Sequence, residues 1–579
     1  MTFYFAWVDE TDTTFTSAMR REDEQVFSFN VEHEEGDFAA LTIEIKNPRI
    51  GLLNAGRKRW AWLAFNNAGT DVPLFFGRLV AFPEASQDEV VTLQFIAKPG
   101  DYQAQKEAVA DTLRVLPFFD PVWIAPEQRG NPDLVLEARS ALWHVDRLTH
   151  AITVSDIIAG EAGTVDIGGD FYGDSLDLRF VEVPARQVRV TAEMSWDQVA
   201  AGTVDVTQPI RAAFAAAGSQ YGTLCSTYTG QGLMRDWPAA GRVIGSGWTV
   251  SQVTLRRVDG ITAPRSGVVA NITGQQRAYF PLWQIEASMV LAYDCTRART
   301  ETVSFTVEAD TQAIVTEPGE EDVIAIDLRS SAAGDLIDGA IPIGDLRRRS
   351  YFQTDRGDQS IDHLILLARA RLLARARAVE VSAEIPWATA RTLTCRHSAT
   401  LTDGRLPGGT ATGKVVAYGF GMDGTSGALV GRVTIACTVG KGNTLSPVTA
   451  APGYVDAGFV ADGYQALTSG DAVMPTGDVS YTYATTAIAD DGVIFESLNA
   501  AGAVLSCTVT GGQTTQRAVL LANPAHPDIE AAVAAVNAVA TRVDLDLRPL
   551  DGLAFRTDYA LTVSALQVPR TINLEAGAS

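Results

Sequence analysis

Cysteine, histidine and positive charge are all scarce in this chain. Its 579 residues include five cysteines and six histidines. Cys225, Cys295, Cys395, Cys437 and Cys507 lie far apart and form no CxxC, which argues against structural zinc and redox motifs alike. Cys395 and Cys437 fall in apparent strands of one module, where buried free thiols are expected. That usage fits a chain built in a reducing cytoplasm. His33 begins HEEGD rather than HExxH, so the paired-histidine zinc geometry is missing. His144 and His150 sit six apart, off the same-face spacing of a helix; with His363, His397 and His526 they read as solvated or core residues.

Lys and Arg number 46 against 69 Asp and Glu, a net charge of −23. A chain this acidic does not grip nucleic acid as a whole, because phosphate binding needs a positive footprint. It is compatible with a conduit through which DNA slides without sticking. No apolar run approaches the ~18 residues of a membrane helix. The opening MTFYFAWVDETDTTF has no basic n-region and does not read as a signal peptide.

Catalytic motifs are missing too. There is no G-x-x-x-x-G-K-[ST] phosphate loop and no G-x-S-x-G elbow, although Ser246 lies in GSG. Among 69 acidic residues, coincidental carboxylate candidates such as Glu182, Asp197, Asp490 and Asp491 are unavoidable. The expectation is a protein that is not an enzyme, with no catalytic, cofactor-binding or metal residues assigned. The nearest thing to a metal site is Val165–Asp177, VDIGGDFYGDSLD, whose aspartates could meet a hard cation. Its spacing matches no calcium loop, and a solvated turn is the reading taken.

What the chain does have is strands and turns. Its length implies several cores, and 50 glycines with 24 prolines suit a β-rich chain with many turns. A first module over 1–100 contains Phe27–Glu34, Ala40–Asn47, Arg59–Asn66, Leu74–Phe82 and Val90–Ala97. Leu41, Ile43, Ile45 and Val91, Leu93, Phe95 alternate cleanly, so each strand has one wet and one buried face. Over 101–350 come a short helix at Tyr102–Leu116 and strands at Val135–Val145, Ala151–Ile157, Asp177–Val183 and Gln187–Met194. A second short helix, Gln208–Ala217, is capped by Thr207. An irregular insertion near 218–274 precedes two alternating runs, Leu282–Tyr293 and Glu301–Ala309. CTRART between those runs suggests a hairpin turn, with Ile285 opposite Val303.

A polar hinge with Arg347, Arg348 and Arg349 leads to the clearest helix, Ser360–Ala378, with Ser360 as N-cap and Asp362 in its first turn. Arg369, Arg371, Arg375 and Arg377 make its second half basic. Two readings stand: phosphate contact, or ion pairs with a very acidic protein, and the second is preferred. The helix feeds a β-module over 351–445, with strand candidates around Val379–Ile385, Val415–Tyr418 and Val433–Cys437. A Pro/Gly/Ala linker leads to a C-terminal accessory domain over 464–579. It contains strand candidates Val479–Thr486, Gly492–Leu498, Ala503–Thr510 and Tyr559–Leu566 and one helix candidate, Pro527–Thr541.

Two stretches together resemble the tail-hub family: baseplate hub proteins of tailed phages, their late-control relatives and the base of type VI secretion spikes, with similar proteins in gene-transfer-agent tails. The first is Phe29–Pro99, where IEIKNPRIGLLNAGRKRWAWL (Ile43–Leu63) is followed by LFFGRLVAF (Leu74–Phe82). The second is Tyr351–Gly440, where an Ala/Arg/Leu-rich helix enters a module carrying LTDGRLPGG (Leu401–Gly409) and GKVVAYGF (Gly413–Phe420).

The resemblance implies a mainly β fold with a few helices. It would comprise two tube-like β-barrel or sandwich modules, a hub domain inserted between them, and the C-terminal unit outside the match. It implies a structural tail hub at the distal end of a phage or phage-like tail. Three chains would form a ring of six tube-like units that adapts the sixfold tail tube to a threefold tip and lines the DNA channel. The implied partners are two further copies of the chain, a distal tail or tail tube protein, a tape measure protein and tail tip or fibre proteins. DNA would pass without specific binding, and no stable membrane insertion is expected. The implied location is the virion tail, assembled in the bacterial host cytoplasm. A competing reading is a glycan-binding or glycan-degrading tail protein, with Trp237, Trp248 and Trp283 stacking on sugars. A third, a bacterial surface adhesin, is opposed by the missing export signal.

Overall fold

A computed structural model describes residues 2–20, 25–46, 59–81, 90–216, 224–225, 239–245, 247–259, 283–312, 323–331, 340, 351–442, 455–462, 481–482, 504–513, 538–547, 550 and 554–575. The chain is mainly β with few helices.

The first module supplies β1 (Thr2–Val8), β2 (Gln25–Glu34), β3 (Ala40–Lys46), β4 (Trp60–Asn67), β5 (Thr70–Ala81) and β6 (Val90–Ile96). Helix α1 (Tyr102–Leu113) follows, then β7 (Ala141–Val145), β8 (Ile152–Asp156), β9 (Thr164–Gly168), β10 (Asp177–Phe180), β11 (Gln187–Asp205) and α2 (Thr207–Ala216). The middle of the chain adds β12 (Leu224–Cys225), β13 (Val243–Gly245), β14 (Trp248–Asp259), β15 (Trp283–Asp310) and β16 (Val323–Ser330). The long helix α3 (Asp355–Ala376) leads into β17 (Val379–Ile385), β18 (Ser398–Thr402), β19 (Thr410–Met422) and β20 (Leu429–Cys437). Last come β21 (Val455–Asp462), β22 (Tyr481–Thr482), β23 (Val504–Gln513), β24 (Ala538–Leu547), β25 (Ala554–Ala560) and β26 (Leu566–Gln567).

Twelve strands form one sheet in the order β1-β4-β5-β6-β3-β2-β19-β20-β17-β10, with β18 and β9 branching from β19. The alternation read in the sequence is the cause of its inner face. Leu41, Ile43, Ile45, Leu93 and Phe95 are buried, while Thr42, Thr92 and Gln94 between them face water. The second module is not contiguous in sequence. Its strands β17–β20 take on β9 beside β18 and β10 beside β17, both from the 164–180 segment. The expected solvated turn at Val165–Asp177 is therefore partly strand.

The two modules join edge to edge. β2 pairs antiparallel with β19, with His33 opposite Tyr418 and Val31 opposite Phe420. β19 serves three neighbours. Thr410–Lys414 pairs with β18, Ala417–Met422 with β2, and β20 lies along its other edge. The change of partner falls at a bulge between Val415 and Ala417, a device that bends a strand and re-aims its edges. A single apolar core runs under both modules, from Phe5, Phe29 and Phe95 to Val379, Ile435 and Ile572.

The second sheet is built on β15, whose 28 residues extend about 90 Å at strand rise. The hairpin expected at CTRART does not exist. Cys295–Thr300 continues the strand, Val303 lies opposite Ala192 of β11, and Ile285 lies opposite Arg257 and Leu224. The inward alternation is unbroken through Tyr293, Cys295, Arg297, Arg299, Glu301 and Val303. Three of those residues are charged, and that hides the period from a hydrophobicity reading. Arg299 pairs with Glu301 at 2.9 Å and lies over the Trp196 ring.

Helix α3 packs Ile361, Leu364, Ile365, Ala368 and Leu372 onto Val190, Met194 and Phe305 of this sheet. Its N-cap is Thr354, whose hydroxyl accepts from Gly357 N at 3.1 Å, rather than Ser360. Ser360 lies inside the helix, fully buried, where its hydroxyl donates to Asp120 and meets Tyr351 OH at 2.7 Å. Arg356 also donates to Asp120. Burial alone would raise the Asp120 carboxyl, but the Arg356 and Ser360 hydrogen bonds outweigh it and hold it below its usual range.

In the C-terminal region, β25 pairs with β15 and β26 extends that contact. Residues 568–575 then cross back to the second module, where Ile572 bridges to Ala411 and Arg570 to Val439. Thr438 N donates to Thr571 Oγ1, and Gln312 Nε2 donates to the carbonyls of Gly440 and Ile572 at 3.0 Å each. The last twenty-odd described residues are thus a strap across both sheets. Thr541, at the end of the expected helix Pro527–Thr541, lies in strand β24; residues 527–537 and the strand candidate Gly492–Leu498 lie outside the described residues.

Gly440 allows the strap its close approach, since a Cβ there would stand 1.9 Å from the Val568 carbonyl oxygen. Gly440→Ala is expected to cost ~1–3 kcal/mol through this overpacking. A lowered denaturant midpoint with an unchanged slope is the expected readout.

Candidate functional site

The polar residues the structure gathers lie at the seam between the modules and on the open face of the long sheet. The seam is pinned by Arg147, in the turn after β7. Its guanidinium donates to Leu74 O at 3.1 Å in the first module, and to Leu393 O at 2.6 Å and Arg391 O in the second. It also donates to Tyr418 OH at 2.6 Å and lies over the Tyr418 and Phe420 rings. The Arg147 carbonyl accepts from Phe76 N. One buried side chain thus joins three parts of the chain.

Beside it, His33 and His144 stack with ring centroids 5.3 Å apart. Their positions in the sequence, 111 residues apart, give no hint of this contact. His33 Nε2 lies 3.2 Å from Asp37 O and Nδ1 lies 3.1 Å from Tyr418 OH. A neutral ring satisfies both if Nε2–H donates and Nδ1 accepts from the phenol. Burial first, then the charges of His144 and Arg147, push His33 down to about 3. Burial lowers His144 to about 4. Tyr418, wholly enclosed, is pushed up to about 12.

Two cation pairs flank the knot. Lys414 is fully buried and donates to Ser155 Oγ at 2.8 Å, Ala159 O at 3.2 Å and Glu161 at 3.3 Å. Arg377 meets Glu35 at 2.6 Å; burial raises the Glu35 carboxyl while Arg377 pulls it back. Arg147 and Lys414 were given no role in the sequence, and Tyr418 was read as an apolar strand residue.

The basic half of α3 is spent on ion pairs. Arg375 meets Glu182 at 3.1 Å and Val183 O, Arg371 lies 3.9 Å from Glu137, and Arg377 holds Glu35. Arg369 is buried. This arrangement is ion pairing within an acidic protein rather than a phosphate-binding face. Trp248 is 1% exposed and packs on Tyr293, so it offers no sugar platform. Trp237, Ser246, Asp490, Asp491 and Arg347–Arg349 lie outside the described residues. Among the described residues no group of three or more His, Cys, Asp or Glu is placed to hold a metal, and no helix is long and apolar enough to cross a membrane. Cys295, Cys395 and Cys437 are buried free thiols, and burial pushes the Cys437 thiol up to about 12.

The open face of the long sheet has a consistent character from β6 to β10. It presents Thr92 and Gln94, Thr42 and Glu44, Asn30 and Glu32, Gly419 and Gly421, Arg432 and Thr434, then Ser382 and Glu384. Apart from Val90, Ile96 and Val430 the side chains are short or polar, and carboxylates (Glu32, Glu34, Glu44, Asp177, Glu380, Glu384) outnumber cations (Lys46, Arg179, Arg432). The two arginines are matched on the same face: Arg179 to Glu380 at 2.6 Å and Arg432 to Glu32 at 3.7 Å. Such a surface has little to hold a phosphate backbone.

No family model matches the sequence, and no curated protein matches it. Among solved structures, the chain is similar to a tail protein from Neisseria meningitidis MC58, with a TM-score of 0.32 and 6% identity, covering 75% of this chain and 97% of that one. It is also similar to the 43 kDa tail protein of prophage MuSo2 from Shewanella oneidensis, with a TM-score of 0.28 and 7% identity over 71% and 93% of the two chains. A third likeness is to prophage tail protein gp18 from Listeria monocytogenes EGD-e, with a TM-score of 0.30 and 8% identity over 75% and 94%. Likenesses of this depth leave function to be argued from this chain's own geometry.

Arg147→Met keeps the bulk and removes the donors, stranding three buried carbonyls. A loss of at least about 3 kcal/mol in denaturant unfolding is expected. The histidine pair sets a pH dependence. Both folded pKa values lie below the ordinary ~6.5, so between roughly pH 3 and 6.5 the unfolded chain binds more protons than the folded one. Their contribution is complete above about 6.5 and falls away with acid, by up to ~1.4 kcal/mol per pH unit for each ring. Thermal melting at pH 5 should therefore fall below that at pH 7, and His33→Gln should flatten the slope.

Proposed function

We propose that the chain is a structural hub at the distal end of a phage or phage-like tail, acting as a homotrimer and not as an enzyme. The observation that carries this reading is the fusion of two six-stranded modules through β2 and β19 into one sheet with a mostly polar, acidic open face. A chain that contributes two similar β-modules side by side lets a threefold ring present a quasi-sixfold surface, the match a hub needs between a sixfold tube and a threefold tip.

In this reading the open face lines the channel. Arg179 and Arg432 are already paired with Glu380 and Glu32, and the carboxylates beyond those pairs, Glu34, Glu44 and Glu384, repel phosphate, so DNA passes without being retained. The middle sheet, clamped by α3 and the C-terminal strap, holds the two modules at a fixed angle. The neighbours are a distal tail or tail tube protein on one side, tail tip or fibre proteins on the other, and a tape measure protein in the channel. The location is the virion tail, assembled in the host cytoplasm.

The test is made on the open face. The wild-type chain is expected to show no DNA retention in filter binding at physiological salt. Glu32→Lys, Glu380→Lys and Glu384→Lys together should create retention that weakens steeply as salt rises. Tight DNA binding by the wild-type chain would overturn the conduit reading.

A further inference from the structure

The seam between the modules contains a run of hydrogen bonds whose direction is fixed at one end. Arg147 has only donors, so the Tyr418 oxygen accepts from it and the phenolic proton is left for His33 Nδ1, 3.1 Å away. His33 Nε2–H then donates to Asp37 O. Each of these atoms is matched while the imidazole is neutral. An imidazolium carries a proton on both nitrogens, which sets Nδ1–H against the phenolic proton and loses that bond. His144, stacked on the same ring, is no better placed for charge. Its Nε2 is buried and has no hydrogen-bond partner among the described residues.

The surrounding groups offer no spare counter-charge. Asp146, in the turn after β7, accepts from Leu148 N and from Thr149 N and Oγ1. Glu161, after β8, is taken by Asp156 N and Lys414 of β19, and Glu35, after β2, by Arg377 at the end of α3. Glu34, next to His33, faces water. The Cys395 thiol and the Tyr418 phenol are neutral, burial raising both. His397, in the loop before β18, is itself lowered by burial. What remains is Arg147, Lys414 and Arg396, three cations that oppose a fourth. The rings also lie where the join has least to break. His33 opposite Tyr418 and Glu34 opposite Ala417 are the last rungs of the β2–β19 ladder, followed by Glu35 N donating to Val416 O within the bulge of β19.

We propose that this end of the β2–β19 ladder is an acid-released joint: protons taken up by His33 and His144 open the last rungs, admit water to both rings and free the angle between the modules, while each module and the middle sheet stay folded. The device belongs to the single chain and stands apart from the ring and channel reading. Its direction follows from linkage. Both rings are held below the ordinary ~6.5 when enclosed and return towards it once hydrated, so acid favours the open form. Between roughly pH 4 and 6.5 each ring raises the opening constant about tenfold per pH unit, and the two together about a hundredfold.

The test is hydrogen exchange on the full chain, with each protection factor taken against the unfolded-chain rate at the same pH. In wild type, protection over His33–Asp37 and Lys414–Tyr418 is expected to fall by about a hundredfold per pH unit between roughly pH 6 and 4.5, while β4, β5 and β11 keep theirs. His33→Gln can replace both bonds of the ring with its amide, and His144→Phe keeps the stack. Each should reduce the slope to about tenfold per unit, and the two together should abolish it. Either single variant carries the test should the other fail to fold. Protection lost throughout the chain at one pH, a seam still closed at about pH 4.5, or a double variant that opens as wild type does would each overturn the proposal.

Discussion

The two β-modules share one sheet through the β2–β19 ladder, and the guanidinium of Arg147 is buried at that seam with its donors engaged on both sides of it. Its bonds reach Leu74, Leu393, Arg391 and Tyr418, so the inserted segment, the first module and the second module are positioned by the same planar group. A lysine would not do this, since a compact ammonium lacks the fork that satisfies divergent carbonyls. Beside Arg147 run the β2–β19 ladder and an apolar core continuous from Phe5 to Ile572. Without it, the partners of Arg147 would be buried and unsatisfied, and the join would open where the core is most continuous.

Polar burial recurs at each joint of this chain. Glu301 accepts from Tyr351 N and Phe352 N, tying β15 to the start of α3. Asp120 ties the inserted segment to Arg356 and Ser360 of the same helix, and Lys414 ties β19 to Glu161. Such pairs add little net stability over a well-packed apolar alternative, because desolvation offsets most of the attraction. They are directional, however, and a directional contact fixes how one layer sits on another. That precision suits a chain whose proposed work is to hold two modules at a set angle and to present one face to DNA.

The elements legible in the sequence are those with a clean period. β3, β6 and β17 were read within a residue or two, because Leu41/Ile43/Ile45, Val91/Leu93/Phe95 and Val379/Val381/Ala383 alternate against polar neighbours. Helix α3 was read but started late: Thr354 lies beyond the Arg-rich hinge, and Ser360 looked like a cap because its burial was invisible. β15 was cut in two since Arg297, Arg299 and Glu301 occupy inward positions that hydrophobicity cannot recognise. Of the seam, the sequence singled out His33 and His144 only to set them aside, marked Tyr418 as the apolar end of a strand candidate, and gave Arg147 and Lys414 no role. Each of these is made significant by a partner tens to hundreds of residues away.

Local pattern, then, determined the class of this protein and most of its strands: alternation sets which face is wet, and glycine and proline set where the chain turns. Composition alone also limited its chemistry, since a chain so acidic has few routes to phosphate binding, and one so poor in histidine and cysteine has few routes to imidazole or thiolate metal sites. Only the tertiary structure decided that the second module borrows β9 and β10, that β19 changes partner at its bulge, and that the chain's last described residues strap the two sheets together. The physical reason is that an edge is defined by what lies beside it. Backbone donors and acceptors are the same in every strand, so sequence marks a strand but does not name its neighbour.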